Sequence, residues 1–217
     1  MNNARIGPNA LIQTVEALKE TYGLARTTDL LCEGGFPSLV DFMPAEMVDE
    51  QEFLMLIHAL TTQLGSEPTR AILRRSGQRT GDYVLRYRIP SLFQQLVRWR
   101  RLPRHWSLWL LLLAIRQSAW TFVGSGVFRF SLGKEKEARI LIVNRAPNPA
   151  IPPEVCSFYG GTFERLVQAL IDAHMQVQSV DGTPTDGQRL EGQASDGQDA
   201  ERQAGEPVRC AYVIRYP

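Results

Sequence analysis

Four tryptophans, Trp99, Trp106, Trp109 and Trp120, fall within 22 residues, and ten arginines lie between residues 70 and 104 against one acid, Asp82. Indole rings offer flat apolar walls. Guanidinium groups offer planar forks that grip carboxylates and phosphates in pairs, which lysine does not do. Arginine outnumbers lysine 21 to 3 over the 217 residues, so the fork is the cation this chain uses. The preceding stretch, residues 33–67, is its opposite, with seven acids and no lysine or arginine. Either the arginines form a solvated basic face paired with that acidic stretch, or they hold an anionic ligand. Trp106, Trp109 and Trp120, at offsets of 3 and 11, fall near one helical face. Such a stripe is either core or the wall of a pocket.

A second stripe runs through Leu73, Gly77, Gly81 and Val84. Each mid-helix glycine costs about 1 kcal/mol relative to alanine. Close approach by another helix, or by something flat, is needed to offset that. Arg74, Arg75 and Arg79 flank the stripe, and Arg145 ends a later strand. Two histidines, His58 and His174, read as structural residues, which leaves His105 as a candidate metal ligand. Cys32, Cys156 and Cys210 are far apart and odd in number, which predicts neither a disulfide framework nor a metal knuckle and fits a reducing cytoplasm. Redox chemistry finds no short motif. There is no G-x-G-x-x-G turn for NADPH or flavin, Gly124-Ser125-Gly126 opens a strand rather than a helix, and no cysteine cluster suits iron and sulfur. The net charge of +1 and the lack of a reading motif argue against nucleic acid.

The elements that must position these residues change type along the chain. Helical periodicity predicts helices over residues 8–22, 24–32 and 49–64, then 66–88 with Ser66 as its cap, 91–101 and 103–122. The most apolar stretch, Trp106 to Ile115, is too short for the ~20 residues of a membrane span. It reads as a helix buried on all sides, or as one that touches a membrane or lines a ligand. After Val127 the pattern alternates, predicting a hairpin over 127–144 with its turn near Gly133. A helix over 153–174 and strands over 175–180 and 208–216 follow. This is an α+β arrangement, a helical layer packed on a small four-stranded antiparallel sheet, with the 153–174 helix crossing between two hairpins. Residues 182–206 repeat Gly-Gln every five residues with one large apolar side chain, Leu190, and read as a disordered insert.

Several local patterns resemble the 4-vinyl reductase domain family. Cys156-Ser157-Phe158-Tyr159-Gly160-Gly161-Thr162-Phe163-Glu164 resembles the family's run that opens the crossing helix. Val208-Arg209-Cys210-Ala211-Tyr212-Val213-Ile214 resembles its last, cysteine-bearing strand. Ser76-Gly77 and Thr80-Gly81 resemble its glycine-spaced helix. The resemblance spans residues 66–217, and residues 1–65 read as an amino-terminal helical part of the same domain.

The resemblance implies a fold similar to the haem nitric-oxide-binding domain and to a vesicle-tethering subunit, with an internal ligand cavity. It implies bacteriochlorophyll biosynthesis, and as ligand a magnesium protoporphyrin or chlorophyllide-type tetrapyrrole. On that reading Trp106, Trp109, Trp120, Gly77 and Gly81 wall the pigment. Arg74, Arg75, Arg79 and Arg145 take its carboxylates, and His105, about where the related haem domain has its axial histidine, is the candidate magnesium ligand. The expected role is to bind the intermediate and present it to pathway enzymes, with the magnesium chelatase large subunit and the magnesium-protoporphyrin methyltransferase as expected partners. The alternatives are an 8-vinyl reductase of divinyl (proto)chlorophyllide with an external electron donor, and a protein-interaction module. The expected location is cytoplasmic, peripheral to the photosynthetic membrane and without a membrane span.

Overall fold

Asp49 starts a helix by accepting the backbone N–H of Gln51 at 2.9 Å, satisfying one of the free donors of a helix start. That helix stops at Gly65, whose φ of +87° suits glycine best. In the computed structural model, residues 4–98, 103–133, 137–144, 151–180 and 208–215 are described. Their order is β1 (Arg5–Ile6), α1 (Asn9–Glu33), α2 (Ser38–Asp41), β2 (Val48–Asp49), α3 (Glu50–Leu64), α4 (Ser66–Tyr87), α5 (Ser91–Arg98) and α6 (Arg104–Ser118). A short 3-10 turn (Ala119–Thr121), β3 (Val127–Leu132), β4 (Glu137–Asn144), α7 (Val155–Leu170), β5 (Gln176–Ser179) and β6 (Val208–Arg215) complete it. The 182–206 insert lies outside the described residues.

The expected sheet is present. Four antiparallel strands run in the order β3-β4-β6-β5. Val127 pairs with Val143 in the hairpin, and Ile140 sits between Phe130 and Tyr212. Alternation along β4 buries Ala138, Ile140, Ile142 and Asn144. Helix α7 crosses from this hairpin to β5, as the sequence predicts, and packs on the sheet through Phe163, whose ring is 5.5 Å from that of Tyr212. Helix α4 packs on α7, and α1 packs on α4 through a buried 2.8 Å hydrogen bond between the hydroxyls of Thr14 and Ser76.

Four sequence expectations are corrected. Cys156 and Cys210 form a disulfide, because the start of α7 lies beside β6 and brings their Cα atoms to 5.2 Å. Their separation of 54 residues carries no sign of this contact. The Trp106–Ile115 stretch is not buried on all sides: α6 buries Ser107, Leu108, Leu111, Leu112 and Ile115 and turns its tryptophans outward. Trp120 leaves their face, since α6 ends at Ser118 and the chain tightens into the 3-10 turn. Ser66 does not cap α4; its hydroxyl donates to the buried Glu154 at 2.7 Å.

Candidate functional site

A groove of about 580 Å³ lies between α1 and α4. Tyr22, Pro68, Ala71 and Ile72 give it apolar surface, and Arg74, Arg75 and Arg79 give it cations. The spacing explains why. On α4 the small, buried Ser76 and Gly77 point into the packing against α1 and α7, so the residues on either side project outward. Arg75 donates to Glu20 at 2.6 Å, and Arg79 donates to Gln13 at 2.9 Å and pairs with Glu20. Arg74 reaches the other way and holds both carboxylate oxygens of Glu164 on α7, at 2.7 and 2.8 Å. Thus all three arginines line one groove, Arg75 and Arg79 engaged by Glu20 in it and Arg74 by Glu164 on α7. The more exposed Arg75–Glu20 pair contributes little and exchanges readily, whereas the Glu164 carboxylate is largely shielded and also accepts from Gln78.

The other sequence-derived residues lie elsewhere. Gly77 and Gly81 face α7. A Cβ on Gly77 would strike the carbonyl of Phe158, one on Gly81 would press on Arg165, and Gly161 mirrors this against the carbonyl of Arg74. The glycine stripe is therefore a helix–helix contact, which removes the need for a flat ligand there. Trp106 and Trp109 stand exposed on α6, edge to face at 6.0 Å. Trp120 is exposed on the 3-10 turn. His105 is exposed in the first turn of α6, its ring 5.6 Å from that of Trp106. Arg145 lies outside the described residues. Among the described residues no group of histidine, cysteine and carboxylates could hold a metal ion.

Sequence reasoning missed a buried polar cluster where the start of α3 meets the turn before β3. Glu50 is buried in the first turn of α3, and its carboxylate accepts the backbone N–H of Ser125 at 2.9 Å. Gly124, at φ +60°, closes over that carboxylate, and a side chain there would collide with it. The Asn144 amide and the Ser125 hydroxyl are buried nearby without a hydrogen-bond partner of normal geometry. Burial pushes the Tyr159 hydroxyl far above its ordinary range; the Glu50 charge adds to this and Asn144 opposes it. Burial likewise raises Tyr212, whose hydroxyl donates to the carbonyl of Cys156 at 2.5 Å. Only an asparagine closing an apolar strand hinted at this cluster. It fastens the Gly124–Gly126 turn to α3.

Aromatic rings pack together between the helices and the sheet. Phe122 touches Phe128, Tyr159 and Phe163, with centroids 6.3 to 6.4 Å apart, and Phe128 lies 5.9 Å from Phe163. His105 itself stands on the exposed side of α6.

Helices layered on this four-stranded sheet give the chain the fold of H-NOX domains, with a groove of ion-paired arginines on its helical side. The chain is similar over 95% of its length to 93% of an H-NOX domain studied for haem distortion, with a TM-score of 0.57 and 12% identity. It is also similar to an oxygen-binding H-NOX domain related to soluble guanylate cyclases, with a TM-score of 0.52, 14% identity and coverage of 94% of this chain and 92% of that one. No family model matches the chain. Two curated relatives do. One, the bacteriochlorophyll synthase 23 kDa chain of Cereibacter sphaeroides, is 32% identical over 80% of this chain and 82% of its own. The same-named protein of Rhodobacter capsulatus is 33% identical over 84% and 83%. The chain belongs to the family of these bacteriochlorophyll synthase 23 kDa chains, the BchJ type.

Proposed function

We infer that the chain serves bacteriochlorophyll biosynthesis by binding a tetrapyrrole intermediate and presenting it to pathway enzymes. The observation that carries this reading is the groove between α1 and α4, where Arg74, Arg75 and Arg79 meet an apolar wall. Its volume of about 580 Å³ suits a ligand of the size of a macrocycle lying partly exposed. A magnesium protoporphyrin or a chlorophyllide-type pigment offers a flat apolar body and propionate carboxylates. The carboxylates would replace Glu20 on the guanidinium forks of Arg75 and Arg79, exchanging one charge-assisted hydrogen bond for another. An open groove leaves one pigment face available for hand-over. The names of the two relatives supply the pathway. The magnesium chelatase large subunit and the magnesium-protoporphyrin methyltransferase are the proposed recipients or donors, and the proposed location is cytoplasmic. In that compartment thiol reductants would act on the Cys156–Cys210 bond.

An absorption titration of the purified chain with magnesium protoporphyrin and with its monomethyl and dimethyl esters tests the reading. A Soret shift that saturates is expected. Arg75→Ala with Arg79→Ala should weaken the diacid by roughly tenfold or more, from lost charged hydrogen bonds, and the dimethyl ester much less. No Soret shift with any ligand would defeat pigment binding. Equal loss for diacid and diester would move the site away from the groove. Monovinyl product formed by the purified chain from divinyl chlorophyllide and NADPH would replace the carrier role with a reductase.

A further inference from the structure

We propose that the outer face formed by α5, α6 and the end of α4 is a docking surface for an anionic lipid bilayer. It is separate from the groove and independent of pigment binding. The first observation is apolar exposure concentrated on consecutive elements. Tyr87 is 63% exposed, Leu92 78%, Leu96 44%, Trp106 51% and Trp109 37%. Leu92 and Leu96 are four residues apart and share a face of α5. On α6, Trp106 and Trp109 begin a ridge that Arg116 continues three turns on. Loose folding does not explain the exposure. Helix α6 is fully packed on its other side through Leu108, Leu111 and Leu112, and Val97 is the buried anchor of α5. The amide of Gln94 further ties α5 to the end of α4 by donating to the carbonyls of Leu85 and Ile89, at 2.7 and 3.0 Å.

Charge selects the occupant. Between Asp82 and Glu135 the sequence has nine arginines and lysines and no acid. Among the described residues, no ion pair holds Arg86, Arg88 or Arg116, all exposed; Arg86 lies instead over the ring of Tyr87, 5.4 Å from its centroid. Tryptophan and tyrosine settle at the headgroup level of a bilayer. Arginines near the surface are drawn to an anionic leaflet. A second copy of the chain is disfavoured, because a two-fold interface would set the exposed Arg86, Arg88 and Arg116 against their own copies. The contact is peripheral. At 15 residues α6 is about 22 Å long, short of a span, and no described helix is long and apolar enough to cross a membrane. The pair α5–α6 would lie in the interface plane, leucines and indoles inward and guanidinium groups on the headgroups.

The test is co-sedimentation of the full chain with phosphatidylcholine vesicles, with and without phosphatidylglycerol, alongside tryptophan fluorescence. Binding only to the anionic vesicles, a blue shift on binding and release at high salt are expected. Arg86→Ser with Arg88→Ser should lower the partition coefficient roughly tenfold or more. Trp106→Ser with Trp109→Ser should remove most of the blue shift and the binding, with circular dichroism unchanged. Indifference to phosphatidylglycerol, or variants that bind like the parent chain, would overturn the proposal. So would a dimer in solution that the tryptophan variant dissolves, which would make the face a contact between copies.

Discussion

Two aromatic regions of this molecule use the same edge-to-face geometry in opposite surroundings. Between α7 and the sheet, Phe163 meets Tyr212 at 5.5 Å and Phe122 at 6.4 Å. On the outside of α6, Trp106 meets Trp109 at 6.0 Å. Phe163 is 1% exposed, whereas Trp106 keeps half its surface in solvent. Ring chemistry therefore does not decide which aromatic residues build the fold and which are left for contact. What decides is whether another element covers them. β-strands and α7 close over the phenylalanines, whereas nothing among the described residues closes over the tryptophans.

The largest effect should come from the interior. Phe163→Ala removes a fully buried ring from a site hemmed in by Phe122, Phe128 and Tyr212, so the hole cannot collapse easily. A loss of about 3–5 kcal/mol is expected, read as a fall in the urea midpoint at unchanged slope. A loss below about 1 kcal/mol would mean that the interior is looser than these contacts imply, as an internal cavity beside the ring would make it.

The disulfide should come next. Cys156 and Cys210 pin the start of α7 to β6 beside the Tyr212 hydrogen bond. Closing 54 residues restricts the unfolded chain, and replacing both cysteines by serine should cost about 2–4 kcal/mol. Thermal melts with and without reductant should agree with the double variant. A parent chain whose melt is indifferent to reductant would show that the bond adds nothing to the interior.

These residues show what is legible in the sequence. Period-two and period-3.6 patterns depend on near neighbours, so the hairpin, the crossing helix and the Asp49 cap can be read from the order of residues alone. The glycine stripe can be read as a close approach, and Gly77, Gly81 and Gly161 together identify the partner helix. Contacts across long separations leave no such trace. Nothing near Cys156 marks Cys210, and nothing near Glu50 marks Ser125. The arginines stand out by type and are gathered by the fold, because their positions on α4 alternate with buried ones. The tryptophans stand out by type too, but their direction does not, since a helix with leucine on one side and indole on the other is apolar all round when read as a string.

The smallest effect on stability, and the sharpest test of the contrast, belongs to Trp106→Ala. Half of the indole is already in water, so truncation releases little buried area. Its ring partners, Trp109 and His105, are exposed as well, so no cavity forms and no polar group is stranded. The first turn of α6 does not depend on it, because the Arg104–Asp172 ion pair, at 2.5 Å, fastens that end to the turn after α7. The Asp172 carboxyl is held below its usual range first by the backbone N–H of His174 and also by Arg104, so that tie persists at neutral pH. Alanine is moreover a better helix former than tryptophan by a few tenths of a kcal/mol. The expected change is within about 0.5 kcal/mol in either direction, an order of magnitude below Phe163→Ala and measurable in the same urea titration. If Trp106→Ala instead costs as much as an interior ring, the indole is covered in solution, and the outer face of α6 is a packed surface rather than a free one.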